Sequence, residues 1–136
     1  FYGNLRPLDQ VQPYRLELNN RFQFDEWKSL YAFWGDKPYQ ALQETEVIVD
    51  LASVQYSKLI KKYVPIKTRF VKCYFMEQTQ QGYKEKGVYV KIARGEMVRY
   101  LAENKITKLD DIKSFNRCGY QFQESLSNQE NYIFTR

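Results

Sequence analysis

The chain has 136 residues, enough for one domain with a sizeable core, and it contains no histidine and only two cysteines. The missing histidine excludes Ser-His-Asp and Cys-His nucleophile arrangements and most zinc sites from this stretch of chain. The net charge of +5 is concentrated in residues 58–117, where 15 basic residues stand against 6 acidic ones. A basic middle of this kind suits a polyanion such as nucleic acid, with an anionic membrane surface as the weaker alternative.

The opening of the chain is rich in turns. After residues 1–12, Pro13 cannot donate a ladder hydrogen bond, so we expect a strand to open behind it, over Tyr14–Leu18. The chain starts with Phe1 rather than methionine, which predicts a processed protein or a piece of a longer one. No apolar run is long enough to span a bilayer, and no strongly amphipathic basic helix bearing Trp or Phe supports binding to a membrane surface, so we expect no membrane partner.

Two short helices are predicted next. Asp25 is a good N-cap, and an apolar stripe at helical spacing runs from there to Trp34. Gly35 ends this helix, as a glycine at such a position commonly does. Asp36 caps a second helix that ends near Glu44.

Strand patterns fill the middle of the chain. Glu46–Leu51 predicts a short apolar strand, and Ser53 predicts the cap of the helix that follows. Ile66–Glu77 alternates between two faces, neither of them cleanly apolar, which favours a curved sheet or a partly closed barrel. A turn at residues 78–82 leads to a return strand over Tyr83–Val90.

A closing hairpin is predicted from Tyr120–Glu124 and Asn131–Thr135, with a polar turn between them. The mixture of hairpins and helices indicates an α+β fold rather than a parallel α/β sheet. The expected architecture is therefore a set of antiparallel hairpins that form a curved sheet or partial barrel, with several short helices.

Residues 91–115 predict two short helices joined by a tight connection. In the first helix, Ala93, Met97 and Leu101 lie on an apolar side, and basic residues lie towards the other. The second helix begins at Thr107, a good N-cap, and carries two aspartates in its first turn, where acids suit the helix dipole. In the connection, Ile106 is placed to pack inward.

Two interpretations of this helix pair are open. Amphipathic helices with exposed Lys and Arg are most often ordinary solvated surface. The alternative is a helix-hairpin-helix-like pair that grips nucleic-acid backbone, with helix N-termini and loop amides directed at phosphate oxygens. The connection lacks the Gly-x-Gly that usually lets the backbone approach phosphate closely, and it contributes one cation, Lys105.

The two cysteines, Cys73 and Cys118, lie far apart in sequence and do not make a disulfide framework. The expected role of each is that of a small buried hydrophobe. A peroxide-reactive thiol is the alternative, and Cys118 is its better candidate because the neighbouring Arg117 favours the thiolate.

Five separated motifs occur in one order along the chain. They are YGNLRPLDQVQPYRLEL, YAFWGD, VIVDLAS followed by Tyr56, KIARGEMVRYLAEN, and the terminal GYQF with NYIFTR. This series resembles the YaaA family of bacterial cytoplasmic proteins tied to peroxide-stress resistance, and the resemblance covers nearly the whole chain. Family members are longer, so residues 1–136 are expected to form a single domain or the C-terminal portion of a longer YaaA-like domain.

The resemblance implies a compact α+β fold with a positively charged cleft and a helix-hairpin-helix. It also implies binding to double-stranded or branched DNA, and a link to DNA repair and to the limitation of iron damage under oxidative stress. The DNA contacts that it implies in the helix pair are Lys91, Arg94, Arg99, Lys105 and Lys108. Arg6 and Arg15 match basic positions of the family's LRP and PYRLE motifs, and they either line the cleft or pair with Asp9 and Glu17.

Two other function classes remain open. An enzyme acting on DNA, such as a nuclease or lyase, would need a metal with carboxylates, or a lysine nucleophile such as Lys91. The carboxylates available are Asp9, Asp36, Asp50 and Glu96. An iron-handling or interaction module is the other class, although iron usually needs His, Cys or clustered carboxylates. We predict no catalytic residue, no metal site and no cofactor, and the sequence does not indicate an oligomeric state.

Overall fold

The computed structural model describes residues 3–6, 8–13, 15, 17–20, 23 and 25–136. The chain divides into two compact units. The helical unit consists of residues 1–46 and 52–68, and the sheet unit consists of residues 47–51 and 69–136. Among the described residues, no helix combines the length and the apolar character needed to cross a membrane.

The helical unit contains three short helices, α1 (Leu30–Trp34), α2 (Lys37–Gln40) and α3 (Val54–Lys61). Its small core is formed by three buried leucines, one each from α1, α3 and the turn before α1; these are Leu18, Leu30 and Leu59. The Tyr31 hydroxyl donates to the main-chain oxygen of Gln55 at 2.9 Å, which ties α1 to α3.

The predicted start of the first helix at Asp25 is wrong. Asp25 has φ +48°, which is not the extended backbone of an N-cap. The helix begins four residues later, where Ser29 is extended and its hydroxyl accepts a hydrogen bond from the Ala32 amide at 3.1 Å. The predicted stop at Gly35 is confirmed, with φ +52° and an amide that donates to the Tyr31 carbonyl oxygen at 3.0 Å.

Three other predictions in the helical unit have mixed outcomes. The predicted strand Tyr14–Leu18 includes positions outside the described residues, and the described Leu18 lies in a turn. The second helix starts after Asp36 as predicted but ends at Gln40. Ser53 occupies the N-cap position of α3, yet its hydroxyl makes no capping bond; its main-chain oxygen accepts from the Ser57 amide at 2.9 Å.

Five strands form the sheet of the other unit: β1 (Val47–Asp50), β2 (Arg69–Thr79), β3 (Gly82–Lys84), β4 (Gln121–Phe122) and β5 (Asn131–Thr135). The order is β1-β2-β5-β4, and β3 pairs with the far end of β2. β1 and β5 both run parallel to β2, whereas β3 and β4 are antiparallel to their partners.

The expectation of antiparallel hairpins is therefore corrected to a mixed sheet within an α+β fold. The closing hairpin is confirmed as β4 and β5, and the strand over residues 46–51 is confirmed as β1. The central pairings are parallel because β1 and β5 approach β2 from distant parts of the chain. In the described residues the sheet is open, so a partial barrel is not confirmed.

A long helix, α4 (Gly87–Glu103), replaces most of the predicted return strand over Tyr83–Val90. Only the first residues of that stretch are extended, in β3. The helix starts at Gly87 because Val90, buried against the sheet, continues the helical spacing of Ala93 and Met97. The predicted inward side of this helix is confirmed, since Ala93 and Met97 are fully buried.

The second member of the predicted helix pair is a 3₁₀ helix, Leu109–Ser114. It carries Asp110 and Asp111 in its first turn as expected, but its cap position is Lys108 rather than Thr107. Ile106 packs against the core, as predicted. The described residues therefore show an α-helix followed by a 3₁₀ helix, and they do not show a helix-hairpin-helix built from two α-helices.

Phe75 lies at the centre of the core. Its ring stacks on Phe134 at 5.4 Å and contacts the edges of Tyr120 at 5.5 Å and Phe115 at 5.9 Å. Such offset and edge-to-face pairs are favourable beyond the area they bury. The cluster joins β2, β5, the end of the 3₁₀ helix and the strand β4, and α4 packs against it through Met97.

A buried ion pair lies between β1 and β2. Asp50 and Lys72 are register partners, and the Lys72 Nζ is 2.7 Å from the Asp50 Oδ2. Their side chains are only 5% and 8% exposed. Lys72 and Glu77 lie on opposite faces of β2 and both are buried, which explains why neither face of the predicted strand was cleanly apolar.

The end of α4 is a Schellman motif with a lysine in the glycine position. The Ile106 amide donates to the Leu101 carbonyl oxygen at 3.0 Å, and the Lys105 amide donates to that of Ala102 at 3.2 Å. Lys105 itself has φ +51°. A side chain with a Cβ is strained in this left-handed region, where glycine is not.

Replacing Asp50 by asparagine should lower the free energy of unfolding by about 3–5 kcal/mol, because the buried Lys72 ammonium loses its counter-charge. Urea denaturation followed by circular dichroism measures this change. The matched control is Asp110→Asn, which breaks an ion pair to Lys113 in which Asp110 is 81% exposed. The control should leave the denaturation midpoint nearly unchanged. Equal effects of the two variants would contradict the role given to the buried pair.

Replacing Lys105 by glycine should raise the free energy of unfolding by about 1 kcal/mol, since glycine adopts a positive φ without strain. Lys105→Ala removes the same charge but keeps the Cβ, so it should give no such gain. Ala102→Gly, inside α4, should destabilise by about 1 kcal/mol. Thermal unfolding of the three variants tests the motif, and a destabilised Lys105→Gly variant would be incompatible with it.

Candidate nucleic-acid interface

The five cations predicted in the helix pair fall into three different environments. Lys91, Arg94 and Arg99 are carried by α4, Lys105 follows its C-cap, and Lys108 precedes the 3₁₀ helix. Because α4 buries Val90, Ala93 and Met97 against the sheet, its remaining positions face outward or lie at the flanks of the buried stripe.

Arg94 lies at the flank of α4 and is partly covered. Its side chain is only 16% exposed, and its Nη2 is 3.4 Å from the Glu85 Oε1. The Nε of Arg94 is buried, and no hydrogen-bond partner for it is found among the described residues. Arg94 is therefore poorly placed to meet a phosphate from solvent.

Arg99 belongs to a surface network of two arginines and two glutamates. Its Nε is 2.7 Å from the Glu103 Oε1, and the other oxygen of Glu103 is 2.5 Å from the Arg117 Nη2. Arg117 also reaches the Glu96 Oε2 at 3.3 Å. Arg117 and, after it, Arg99 hold the pKa of the Glu103 carboxyl below its ordinary value. The network has no net charge, so Arg99, although 66% exposed, adds little to a positive field.

Three lysines, Lys91, Lys105 and Lys108, are exposed. Within the described parts of the chain, none of the three makes an ion pair or a side-chain hydrogen bond. They are the members of the predicted set whose charge is fully available to a polyanion. The negative charges of Asp110 and Asp111 in the 3₁₀ helix reduce the positive field of these lysines. The Asp110 carboxylate, however, is paired with Lys113, whose Nζ lies 3.0 Å from the Asp110 Oδ1.

Arg6 and Arg15 belong to the helical unit, and both are exposed. The Asp9 carboxylate accepts a hydrogen bond from the Arg6 amide at 2.7 Å, and the Asp9 amide donates to the Arg6 carbonyl oxygen at 3.1 Å. Asp9 thus closes a turn through the backbone of Arg6.

Sequence patterns did not identify the ion pairs that occupy the other arginines. Arg136 Nη2 is 2.9 Å from the Glu77 Oε1, and Lys86 Nζ is 3.0 Å from the other oxygen of this carboxylate. Lys86 and Arg136 hold the pKa of Glu77 below its ordinary value. Because Arg136 and Glu77 are 59 positions apart, no local pattern could have indicated their contact.

The two cysteines differ. Cys73 is buried in the core, and burial raises the pKa of its thiol to about 12, so its predicted role as a small buried hydrophobe is confirmed. Cys118 is exposed, so the same prediction is wrong for it. The neighbouring Arg117 is engaged by Glu96 and Glu103. Among the described residues, no three His, Cys, Asp or Glu side chains converge as they would around a metal ion.

Comparison with known proteins identifies the family to which the chain is similar. Residues 1–126 match the family model described as peroxide stress protein YaaA. UPF0246 proteins of Agathobacter rectalis and Desulfitobacterium hafniense are 45% and 47% identical over the whole chain, which covers 55% of each relative. A UPF0246 protein of Limosilactobacillus reuteri is 44% identical over 98% of the chain, which covers 54% of that relative.

The chain thus spans about half the length of the curated relatives it matches. The match to the family model includes the N-terminal motifs, α4 and β4, and the similarity to the relatives extends over the whole chain. The chain belongs to the YaaA peroxide stress protein family, UPF0246.

Proposed function

We propose that the protein binds DNA through backbone phosphates, largely independently of base sequence, in the bacterial cytoplasmic response to peroxide stress. The observation that carries the proposal is a set of three exposed lysines on and after α4 that make no ion pair with the residues the structure describes: Lys91, Lys105 and Lys108. When such lysines bind DNA, condensed counterions are released, and no ion pair within the protein has to be broken first. Membership of the peroxide stress family supplies the biological setting.

Lys105 supports the proposal in a second way. It holds a left-handed backbone conformation in which glycine would be more stable, so the chain carries a strained cation at an exposed position. Strain of this kind is found at binding sites, where the side chain is needed for function. We infer that the ammonium of Lys105 contacts the ligand.

The proposed interface is smaller than the sequence suggested. Arg94 is partly buried and Arg99 shares Glu103 with Arg117, so three lysines are expected to contribute most of the phosphate contacts. Contacts to backbone phosphates position a protein without reading bases, which suits protection or repair of duplex or branched DNA. We propose that α4 and the following 3₁₀ helix together serve this role in place of two α-helices.

The dependence of affinity on salt tests this interface. Three phosphate contacts predict a slope of log K against log salt of about −3, and five contacts would give about −4.5. Replacing Lys105 and Lys108 together by glutamine should flatten the slope by about two units. Fluorescence anisotropy with a labelled duplex, measured between low and physiological salt, gives these slopes.

The matched control is a double replacement by glutamine of Lys58 and Lys84, two exposed lysines on other elements. It changes the net charge by the same amount and should leave the slope nearly as it is. An unchanged slope in the Lys105 and Lys108 variant, or an equal change in the control, would remove the specific role of the α4 lysines.

A further inference from the structure

A small open cleft of about 180 Å³, below the size range of sites for drug-sized ligands, lies in the sheet unit. Its walls come from the start of β2, the end of the 3₁₀ helix Leu109–Ser114, β4, and the loop before β5. The side chains that face it and can recognise a ligand are Arg69, Lys113, Glu124 and Gln129. None of these belongs to the lysine set of α4.

Lys113 is held in place at the wall of this cleft. Its Nζ lies 5.5 Å from the ring centres of both Phe122 and Tyr132, and these two rings meet edge to face at 5.4 Å. The two aromatic faces therefore fix the ammonium by cation–π contacts. Its ion-pair partner Asp110, at 3.0 Å, is largely exposed, so an anion in the cleft can compete for the same ammonium.

Arg69 supplies a second positive charge. It is exposed at the first position of β2, and within the described residues its guanidinium makes no ion pair or hydrogen bond. A free guanidinium presents a planar fork of donors that matches phosphate or carboxylate oxygens in pairs.

The loop before β5, which forms one wall of the cleft, is held in shape by its own hydrogen bonds. The Asn128 Oδ1 accepts from the amides of Glu130 and Asn131 at 2.9 and 2.8 Å. The Ser127 hydroxyl donates to the Gln123 carbonyl oxygen at 2.7 Å and accepts from the Ile133 amide at 2.9 Å. These groups shape the wall in advance of binding, which reduces the ordering cost that a ligand would meet.

We propose that this cleft binds a phosphate monoester, with Arg69 and Lys113 on the phosphate oxygens and Glu124 or Gln129 receiving hydrogen-bond donors of the attached group. Two cations match the charge of about −1.5 to −2 that a phosphomonoester carries at neutral pH. Glu124 opposes a bare phosphate but suits a ligand with hydroxyl or amino groups. The end of a nucleic-acid strand and a free small phosphorylated molecule share this chemistry.

Titration by ¹⁵N-HSQC with inorganic phosphate, a nucleoside 5′-monophosphate and the matching nucleoside tests the site. The phosphate-bearing probes should shift the amides around residues 124–132, and the nucleoside should not. Arg69→Gln and Lys113→Gln should each weaken phosphate binding about tenfold, as expected for loss of a charge-assisted contact. Glu124→Gln should tighten inorganic phosphate several-fold by removing a repulsive charge.

Lys84→Gln, an exposed lysine outside the cleft that bonds only Gln81 among the described residues, is the control and should leave phosphate affinity unchanged. The urea midpoint of each variant shows whether weaker binding results from unfolding. Arg69 is exposed, so Arg69→Gln is the variant least expected to change the stability of the fold. Equal phosphate affinity in Arg69→Gln, Lys113→Gln and the unaltered protein would overturn the proposal, as would nucleoside binding as strong as that of the nucleotide.

The source of the phosphate is decided by competition between a 5′-phosphorylated oligonucleotide and the mononucleotide. Stronger displacement by the oligonucleotide identifies a strand end, and stronger displacement by the mononucleotide identifies a free small molecule. Binding of an unphosphorylated duplex should be the same in Arg69→Gln as in the unaltered protein. That readout reports on the α4 lysines alone, so failure of the cleft and failure of the proposed DNA interface are distinguishable.

Discussion

The position of Phe75 in β2 determines how the rest of the sheet unit is arranged. Its ring is enclosed by Phe115, Tyr120 and Phe134, which come from three separate later segments of the chain. Each of these segments is short and has little stability of its own, since 3₁₀ turns and two-residue strands rarely persist alone. The aromatic contacts hold them together, and α4 packs on the same cluster through Met97 and Tyr100. The cations of both proposed sites are thus placed by an apolar cluster.

The presence or absence of an ion-pair partner divides the cations of the sheet unit into two groups. Four arginines of the sheet unit, Arg94, Arg99, Arg117 and Arg136, are all paired with glutamates at 2.5 to 3.4 Å. In the described part of the chain, the cations of this unit that make no ion pair are mostly lysines. The guanidinium fork suits fixed pairing with carboxylates, whereas the ammonium keeps its hydration and stays available to other anions. The unit holds 12 basic and 9 acidic residues, so its field is weaker than the count over residues 58–117 implied.

Local sequence patterns predicted those features of the fold that depend on residues close together in the sequence. The apolar side of α4, the alternation of β2 and the closing hairpin all follow from spacing within a few residues, and all three are confirmed. The parallel pairing of β1 and β5 with β2 was missed, because strand direction depends on connections that the pattern of one strand does not contain. The pair of Asp50 with Lys72 and the contacts of Arg117 with Glu96 and Glu103 were missed because the partners are 14 to 22 positions apart. The pair of Arg99 with Glu103 has the i, i+4 spacing of neighbours on a helix, so a local pattern could have indicated it. The candidate site therefore stays a prediction, and most of the acids that pair with its cations become visible only in three dimensions.

β1 is separated in sequence from the rest of the sheet unit. Residues 47–51 belong to the sheet unit, although the residues on both sides of them belong to the helical unit. A fragment beginning at Arg69 would keep every ring around Phe75 and yet bury the Lys72 ammonium with Asp50 gone. No single cut of the polypeptide can therefore release the sheet unit whole, even though the two units have separate cores.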